Sequence, residues 1–163
     1  MGKQPLKTNA ARALDRRQLA YEVLTYDVDP NDLAAESVAA KLRLAPAQVF
    51  KTLVTRGDRQ GICFAVIPGN VALELKALAK VSGDRQQAIV ALKDVQPLTG
   101  YIRGGVTAIA SKKAYPVYLH DTAMAWDEII LSAGKRGFML KLTPSDYIQA
   151  TGATVGVIAR PKA

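Results

Sequence analysis

Apolar and polar residues recur along this chain with two different periods, and the period predicts which segments are helical. A spacing of three to four residues between apolar positions indicates an amphipathic helix. This spacing predicts helices over residues 9–19, 35–42, 73–81, 86–92 and 144–150. Thr8 or Asn9 is suited to cap the first helix, and Thr143 followed by Pro144 is typical of a helix start.

Short apolar runs, several with alternating faces, predict the strands. They lie at residues 21–26, 49–55, 62–67, 106–110, 117–119, 129–131, 138–142 and 154–158. Residues 56–61 are expected to be the loop of a hairpin, residues 93–99 a loop around Pro97, and residues 160–163 a tail. Helices and strands intermix without strict alternation. We therefore expect an α+β (mixed α/β) fold, with a mixed, partly barrel-like sheet and surrounding helices, in one domain spanning residues 1–163.

The composition is that of a globular protein with an excess of positive charge. Apolar residues make up 49% of the 163, and 22 Lys and Arg against 14 Asp and Glu give a formal charge of +8. This charge favours a polyanionic partner, although a basic domain can also be merely soluble. The single cysteine, Cys63, excludes an intramolecular disulfide and a zinc site of several thiolates, and its apolar neighbours predict a buried side chain. Without a signal core or a membrane-length apolar run, we expect a cytoplasmic protein with no membrane partner.

Lys51 is unusual because it lies inside an apolar, β-branched strand, Val49–Thr55. Alternation places Lys51 on one face with Val49 and Leu53, and Phe50, Thr52 and Val54 on the other. The ammonium is then partly desolvated, directed at a bound anion, or extended along its stem to solvent. Residue type alone favours the last interpretation.

Two glycine-containing stretches are the other candidates for chemistry. Residues 99–107 contain Gly104-Gly105, a pair that fits either a tight turn or a loop whose backbone contacts a ligand. Residues 132–137, Ser-Ala-Gly-Lys-Arg-Gly, fit either a hairpin turn or an anion-facing turn. Basic residues cluster around both stretches: Arg103, Lys112, Lys113, Lys135, Arg136 and Lys141. No Ser-His-Asp set, paired carboxylates or metal-ligand cluster stands out, so no metal or cofactor is expected.

These three stretches, in this order and spacing, resemble the YbaK/EbsC family of the bacterial prolyl-tRNA synthetase editing-domain superfamily. The resemblance runs from about residue 8 to residue 160. It implies a stand-alone editing domain that removes cysteine from mischarged Cys-tRNA(Pro), and less selectively from Cys-tRNA(Cys). The substrate's own thiol would attack its ester carbonyl and leave as a thiolactone. The implied partners are aminoacylated tRNA and, as a further candidate, prolyl-tRNA synthetase; the oligomeric state is left open.

The resemblance also implies roles for individual residues. Lys51 matches the family's motif lysine, which holds the terminal adenosine or its phosphate, and Gly104 presents its backbone to the substrate. These two are the predicted catalytic residues. The predicted substrate-binding residues are Tyr26, Thr52, Gly105, Thr107, Ser132, Gly134 and Met139. The predicted tRNA contacts are Arg103, Lys112, Lys113, Lys135 and Arg136.

Two departures from the family pattern leave other functions open. The family loop usually continues Gly-Gly-x-Ser-Pro, whereas Thr107-Ala108 stands here, and many relatives carry an aspartate where this chain has Met139. A more apolar site could change which amino acid is accepted. The alternatives are a deacylase for another small amino acid and a catalytically silent module that binds tRNA or a synthetase.

Overall fold

Five α-helices and ten strands alternate irregularly in residues 7–162, the part of the chain that this computed structural model describes. The helices are α1 Asn9–Arg16, α2 Ala35–Leu42, α3 Leu75–Ser82, α4 Leu92–Thr99 and α5 Pro144–Thr151, with a 3₁₀ helix at Asp121–Ala125. The strands are β1 Glu22–Thr25, β2 Phe50–Gly57, β3 Gly61–Pro68, β4 Val71–Leu73, β5 Gln87–Ile89, β6 Val117–His120, β7 Ile129–Lys135, β8 Phe138–Leu142, β9 Thr154–Gly156 and β10 Ala159–Pro161. None of these helices is long and apolar enough to cross a membrane. Residues 1–6, which belong to the start of the chain where no signal core is expected, lie outside the described residues.

The strands form three sheets, two of which are joined by a single bridge. The five-stranded sheet has the order β5-β2-β3-β6-β9, with β2 antiparallel to both neighbours and β3, β6 and β9 parallel. The antiparallel sheet β1-β8-β7 meets it where Val49 pairs with Ile130, and β10 pairs with β4. Through this bridge the two larger sheets curve around a common core without closing into a barrel. The expected α+β class is confirmed.

The five-stranded sheet is packed on both faces. Phe64 and Val66 of β3 point into the main core, which β7, β8, α1 and α5 complete. Cys63 and Ile67 point the other way and pack against Leu78 of α3. Strand β3 is therefore buried on both sides, as its unbroken apolar run predicts, and Cys63 is the expected small buried side chain.

Local signals in the sequence placed several helix ends correctly. The Thr8 hydroxyl accepts a hydrogen bond from the Ala11 amide, and the Thr143 hydroxyl accepts one from the Asp146 amide. Both hydroxyls satisfy amides that a helix start leaves free. Helix α2 has the predicted bounds, while α1 ends three residues before the predicted Leu19.

The predictions for residues 86–92 and 93–99 were wrong. Residues 87–89 form β5 instead of a helix, because their backbone pairs with the end of β2 and the Gln87 side chain is drawn inward by Asp84 and Ser82. Residues 92–99 form α4 instead of a loop, although Pro97 removes one helical hydrogen bond. Burial of Val95 and the left-handed cap at Gly100 offset that loss.

Two further predictions were wrong for related reasons. Residues 106–110 form turns rather than a strand, since the Tyr101 hydroxyl donates to the carbonyls of Ile109 and Ala110 and the Thr107 hydroxyl accepts from the Ile109 amide. Residues 159–161, assigned partly to a tail, form β10, with Arg160 opposite Ala72. The backbone is satisfied by side chains of the same loop in the first case and by a strand distant in sequence in the second.

Candidate functional site

The candidate site is a cavity of about 560 Å³ at an open edge of β2. Strand β5 pairs with β2 only at residues 55–57, and β7 meets the chain only at Val49, just before β2 begins. Within residues 7–162, the edge of β2 between these two contacts has no strand neighbour. Helix α2, the start of α4, the loop at residues 103–106 and the β7–β8 hairpin enclose this gap. The cavity is lined by Tyr26, Leu33, Ala34, Ala35, Glu36, Val38, Phe50, Lys51, Thr52, Leu53, Val54, Gly69, Ile89, Val90, Leu92, Val95, Arg103, Gly104, Val106, Ser132, Met139 and Lys162.

Lys51 is partly buried at the wall of the cavity. Its ammonium donates to the Gly69 carbonyl at 3.3 Å, which leaves further N–H groups available. Burial lowers the pKa of Lys51, the positive charge of Lys162 lowers it further, and the charge of Glu36 opposes both effects. An ammonium with incomplete hydration binds an anion with less desolvation cost than a surface lysine does.

Thr52 lines the cavity and has polar groups that are unpaired within the described residues. Its hydroxyl oxygen is buried and has no hydrogen-bond partner within residues 7–162. The Val54 carbonyl accepts from the Val90 amide, so the backbone groups of Val54 point toward β5. The backbone groups of Thr52, two residues earlier, point to the same edge of the strand. Its backbone N–H and C=O therefore lie along the open edge of β2. A buried polar group without a partner is costly in the free protein and is satisfied by a polar ligand.

The loop at residues 102–105 is a reverse turn closed by the Gly105 amide donating to the Ile102 carbonyl. Gly104 has a φ of +85°, a conformation that other residues rarely adopt, and it lines the cavity. The Arg136 Nε donates to the Arg103 carbonyl at 2.7 Å, which fixes the loop to the β7–β8 hairpin. The glycine pair is thus both a tight turn and a wall of the cavity.

Three predicted substrate-binding residues do not line the cavity. Gly105 packs against the backbone of Lys135 and Arg136, where a Cβ would come within about 3.2 Å of the Arg136 nitrogen. Thr107 is fully buried, and its hydroxyl stabilises the loop through the Ile109 amide. Gly134 lies under the Tyr101 ring. Each supports the loop from behind, and direct contact with a substrate stays a prediction for all three.

The hairpin places the remaining predicted residues at the cavity. Strand β7 continues through the stretch that was expected to be a turn and reaches Lys135, with a bulge between Ser132 and Lys135. The Ser132 hydroxyl accepts from the Gly134 amide at 3.0 Å. Met139 is opposite Ser132 on β8 and is buried with Val38 in a small apolar cluster. Together with Tyr26, these side chains form an apolar floor that has a few polar groups at its edge.

The predicted tRNA contacts divide into two groups. Arg103 lines the cavity, and Arg136 lies behind it and holds the loop. Lys112, Lys113 and Lys135 are exposed outside the cavity, where Lys135 lies over the Phe138 ring at 5.3 Å and Lys112 contacts the Pro97 carbonyl. A ligand bound in the cavity would have to extend beyond it to meet these lysines.

No sequence motif identified the charged and apolar residues at the mouth of the cavity. Glu36 in the first turn of α2 and Lys162 after β10 form an ion pair there, and their positions are 126 residues apart. Ile89 and Leu92 are more than half exposed at the rim. Ile89, Leu92 and Lys162 were missed because β5, α4 and β10 were predicted incorrectly. Glu36 lies in α2, which was predicted correctly, but its partner Lys162 is 126 residues away.

Cys63 and His120 lie outside the cavity lining. The thiol is within 3.0 Å of the Thr55 hydroxyl, and burial raises the pKa of Cys63. The His120 Nδ1 accepts from the Ile158 amide, and burial lowers the pKa of His120. Both residues serve the packing of the five-stranded sheet.

Two comparisons of this sequence with known proteins agree. The family model described as "Aminoacyl-tRNA editing domain" matches residues 29–150. A protein of Enterococcus faecalis (strain ATCC 700802 / V583) named "Putative Cys-tRNA(Pro)/Cys-tRNA(Cys) deacylase EbsC" is 43% identical over 145 residues, which are 89% of this chain and 88% of that protein.

Solved structures share the fold at low sequence identity. The crystal structure of hypothetical protein APE2540 has a TM-score of 0.85 at 22% identity and covers 94% of this chain and all of its own. The structure titled "Crystal structure of a putative trans-editing enzyme for prolyl tRNA synthetase" has a TM-score of 0.79 at 23% identity, covering 98% of this chain and 99% of its own.

Proposed function

This chain belongs to the aminoacyl-tRNA editing domain family, and from that premise we propose that it removes cysteine from mischarged Cys-tRNA(Pro), and less selectively from Cys-tRNA(Cys). The observation that carries the proposal is the meeting, in one cavity, of the partly desolvated Lys51 ammonium and the unpartnered Thr52 hydroxyl. The ammonium is suited to the anionic end of a nucleotide chain, and the hydroxyl to a small polar group such as an aminoacyl ester.

In the proposed reaction the substrate supplies the nucleophile. The cysteine sulfur bonds to the ester carbonyl carbon, the bond from that carbon to the ribose oxygen breaks, and the thiol proton ends on the ribose oxygen. A thiolactone and an uncharged tRNA leave. The protein then has to hold the sulfur close to the carbonyl, which is a task of orientation.

We assign that task to three residues that line the cavity. Lys51 holds the terminal adenosine or its phosphate at the wall, and Gly104 presents backbone to the ester from the opposite loop. Thr52 offers its hydroxyl and the open strand edge to the aminoacyl group. Fixed dipoles directed at the ester stabilise the charge that develops on the carbonyl oxygen.

Met139 supports a second candidate, a deacylase for another small amino acid. It is buried at the cavity floor with Val38, so this part of the site offers apolar contact rather than a hydrogen-bond acceptor. An apolar pocket discriminates weakly between side chains that differ by one small group. Aminoacyl-tRNA is the common substrate class of both candidates, and a prolyl-tRNA synthetase is a candidate partner.

The test is deacylation of Cys-tRNA(Pro), Ser-tRNA(Pro) and Ala-tRNA(Pro) by the wild type, by Lys51→Ala and by Lys80→Ala as an exposed control on α3. We expect rapid loss of cysteine only, a decrease of at least about tenfold in Lys51→Ala, equivalent to about 1.4 kcal/mol, and no change in Lys80→Ala. Thermal unfolding of each variant separates a lost contact from a lost fold.

Three outcomes would contradict this proposal. Loss of serine or alanine at a similar rate would support the second candidate, since neither side chain has a thiol. Salt-sensitive tRNA binding without any turnover would indicate a binding module. Full activity in Lys51→Ala would remove the role assigned to that lysine.

A further inference from the structure

Lys162 reaches the mouth of the cavity from a segment far from every sequence motif. Strand β10 runs antiparallel to β4, with Arg160 opposite Ala72. This pairing places Lys162, the first residue after β10, beside Glu36 in the first turn of α2. Its ammonium is hydrogen-bonded to the Glu36 carboxylate, and both side chains line the cavity that Lys51 lines from the β2 edge. The family match ends at residue 150, so it does not include this lysine.

The three charged groups influence one another. The Lys162 ammonium lowers the pKa of Glu36 most strongly, and the charge of Lys51 lowers it as well. Lys162 also lowers the pKa of Lys51, while Glu36 raises it. Glu36 and the two lysines are therefore close enough to interact, and with Arg103 the charged side chains that line the cavity are three cations and one carboxylate. An anion that enters the cavity therefore comes near both Lys51 and Lys162.

Another anion can replace Glu36 as the partner of Lys162 at little cost in free energy. Their side chains are 48% and 46% exposed, and ion pairs this exposed contribute little to stability. Lys162 can leave Glu36 for another anion and regain an equivalent interaction. Lys51, in contrast, is half-buried on a central strand and donates to the Gly69 carbonyl, so its ammonium reaches outward less than that of Lys162 does.

We propose that Lys162 is a second phosphate-binding residue of the site: it is bonded to Glu36 in the free protein and transfers to the phosphodiester preceding the terminal adenosine when the acceptor end of tRNA binds. This inference rests on the proposed function, because an aminoacyl group held in the cavity directs its nucleotide chain out through the mouth. Glu36 then acts as a competitor that the phosphate displaces.

The test is binding of an uncharged RNA hairpin with a single-stranded CCA end, measured over a range of salt concentrations. Replacement Lys162→Ala should weaken binding about three- to tenfold and reduce the slope of log K against log salt by about 0.7, the value for one contact to single-stranded phosphate. Replacement Glu36→Gln should strengthen binding, because it releases Lys162. The increase in affinity caused by Glu36→Gln should be smaller when Lys162→Ala is present in the same protein.

The matched control is Arg160→Ala. Arg160 lies in β10, two residues before Lys162, and its replacement also removes one positive charge. It has an exposed ion pair, with Glu74 at 3.2 Å, but it does not line the cavity. Its variant should bind RNA with a nearly unchanged salt slope. If Lys162→Ala and Arg160→Ala behave alike, or if Glu36→Gln weakens binding, the pair is structural and the inference is overturned.

Turnover separates this inference from the proposed function. With Cys-tRNA(Pro), Lys162→Ala should raise KM and leave kcat within about twofold, since the residue acts on binding and does not touch the reacting ester. A wild type that binds RNA through Lys162 but releases no amino acid would overturn the proposed function alone. A wild type that binds neither RNA nor charged tRNA would overturn both.

Discussion

At the scale of single residues, the described part of the chain contains two buried hydroxyl groups without hydrogen-bond partners, and they lie in different environments. Thr52 lines the cavity with its hydroxyl oxygen buried beside it, whereas Tyr147 is fully buried in the main core. An unsatisfied polar group destabilises the free protein in either place. Only the group at the cavity can be satisfied by a ligand.

This difference gives a prediction for Thr52→Val, which keeps the shape of the side chain and removes the hydroxyl. We expect the free energy of unfolding to stay the same or to rise by up to about 1 kcal/mol, while deacylation of Cys-tRNA(Pro) decreases about tenfold or more. Urea unfolding and initial rates measure the two effects. Tyr147→Phe is the control and should leave deacylation unchanged. A less stable Thr52→Val protein would show that the hydroxyl already has a partner.

At the scale of elements, the loop at residues 102–105 and the β2–β3 hairpin each depend on a glycine with positive φ. Gly104 has a φ of +85° and Gly61 one of +78°. A Cβ on Gly104 would lie 3.2 Å from Leu33 and Arg136, while a Cβ on Gly61 would meet nothing within 4 Å. The two positions share the same backbone constraint, and only Gly104 lines the cavity.

Replacing each glycine by alanine therefore separates strain from function. Both variants should lose about 1–2 kcal/mol of stability, the cost of a left-handed conformation for a residue with a Cβ. Only Gly104→Ala should also lose most of its deacylase activity, because its loop shifts relative to the Lys51 edge. Chemical denaturation and kcat at saturating substrate are the measurements. Equal activity in the two variants would refute a role for the Gly104 backbone.

At the scale of the whole molecule, the basic residues behind the net charge of +8 differ in their position relative to the cavity, and therefore in their expected contribution to tRNA binding. Lys112 and Lys113 are exposed in the segment that follows the glycine loop, and the Lys112 amide donates to the Thr99 carbonyl at the end of α4. Lys76 and Lys80 are exposed on α3, which covers the other face of the five-stranded sheet. Equal numbers of charges can thus be removed near the cavity and far from it.

We expect the double variant Lys112→Ala/Lys113→Ala to reduce the slope of log K against log salt for full-length tRNA by about one to two, at about 0.9 per contact to duplex phosphate. Lys76→Ala/Lys80→Ala has the same net charge and should leave the slope nearly unchanged. Filter binding at several salt concentrations distinguishes them. A similar loss in both double variants would mean that only net charge matters, and that the predicted tRNA contacts are wrong.

The parts of the fold that were predicted correctly are those with local causes. Helix α5 begins where Thr143 and Pro144 predict it, and β3 is buried on both faces as its apolar run requires. Strand β5 and helix α4 were missed, because one depends on pairing with β2 and the other overcomes the cost of Pro97 by burying Val95. Interactions between distant segments are absent from any local window of sequence.

The sequence by itself determined the fold class and the family, and it indicated Lys51 and the glycine loop as candidates for the site, since these depend on residue types at fixed spacing within short segments. The tertiary structure alone decided that β2 has an open edge where Thr52 lies unpaired, and that Glu36 and Lys162 meet at the mouth of the same cavity. The physical reason is that an open strand edge and an ion pair across 126 positions exist only after separate segments have packed together.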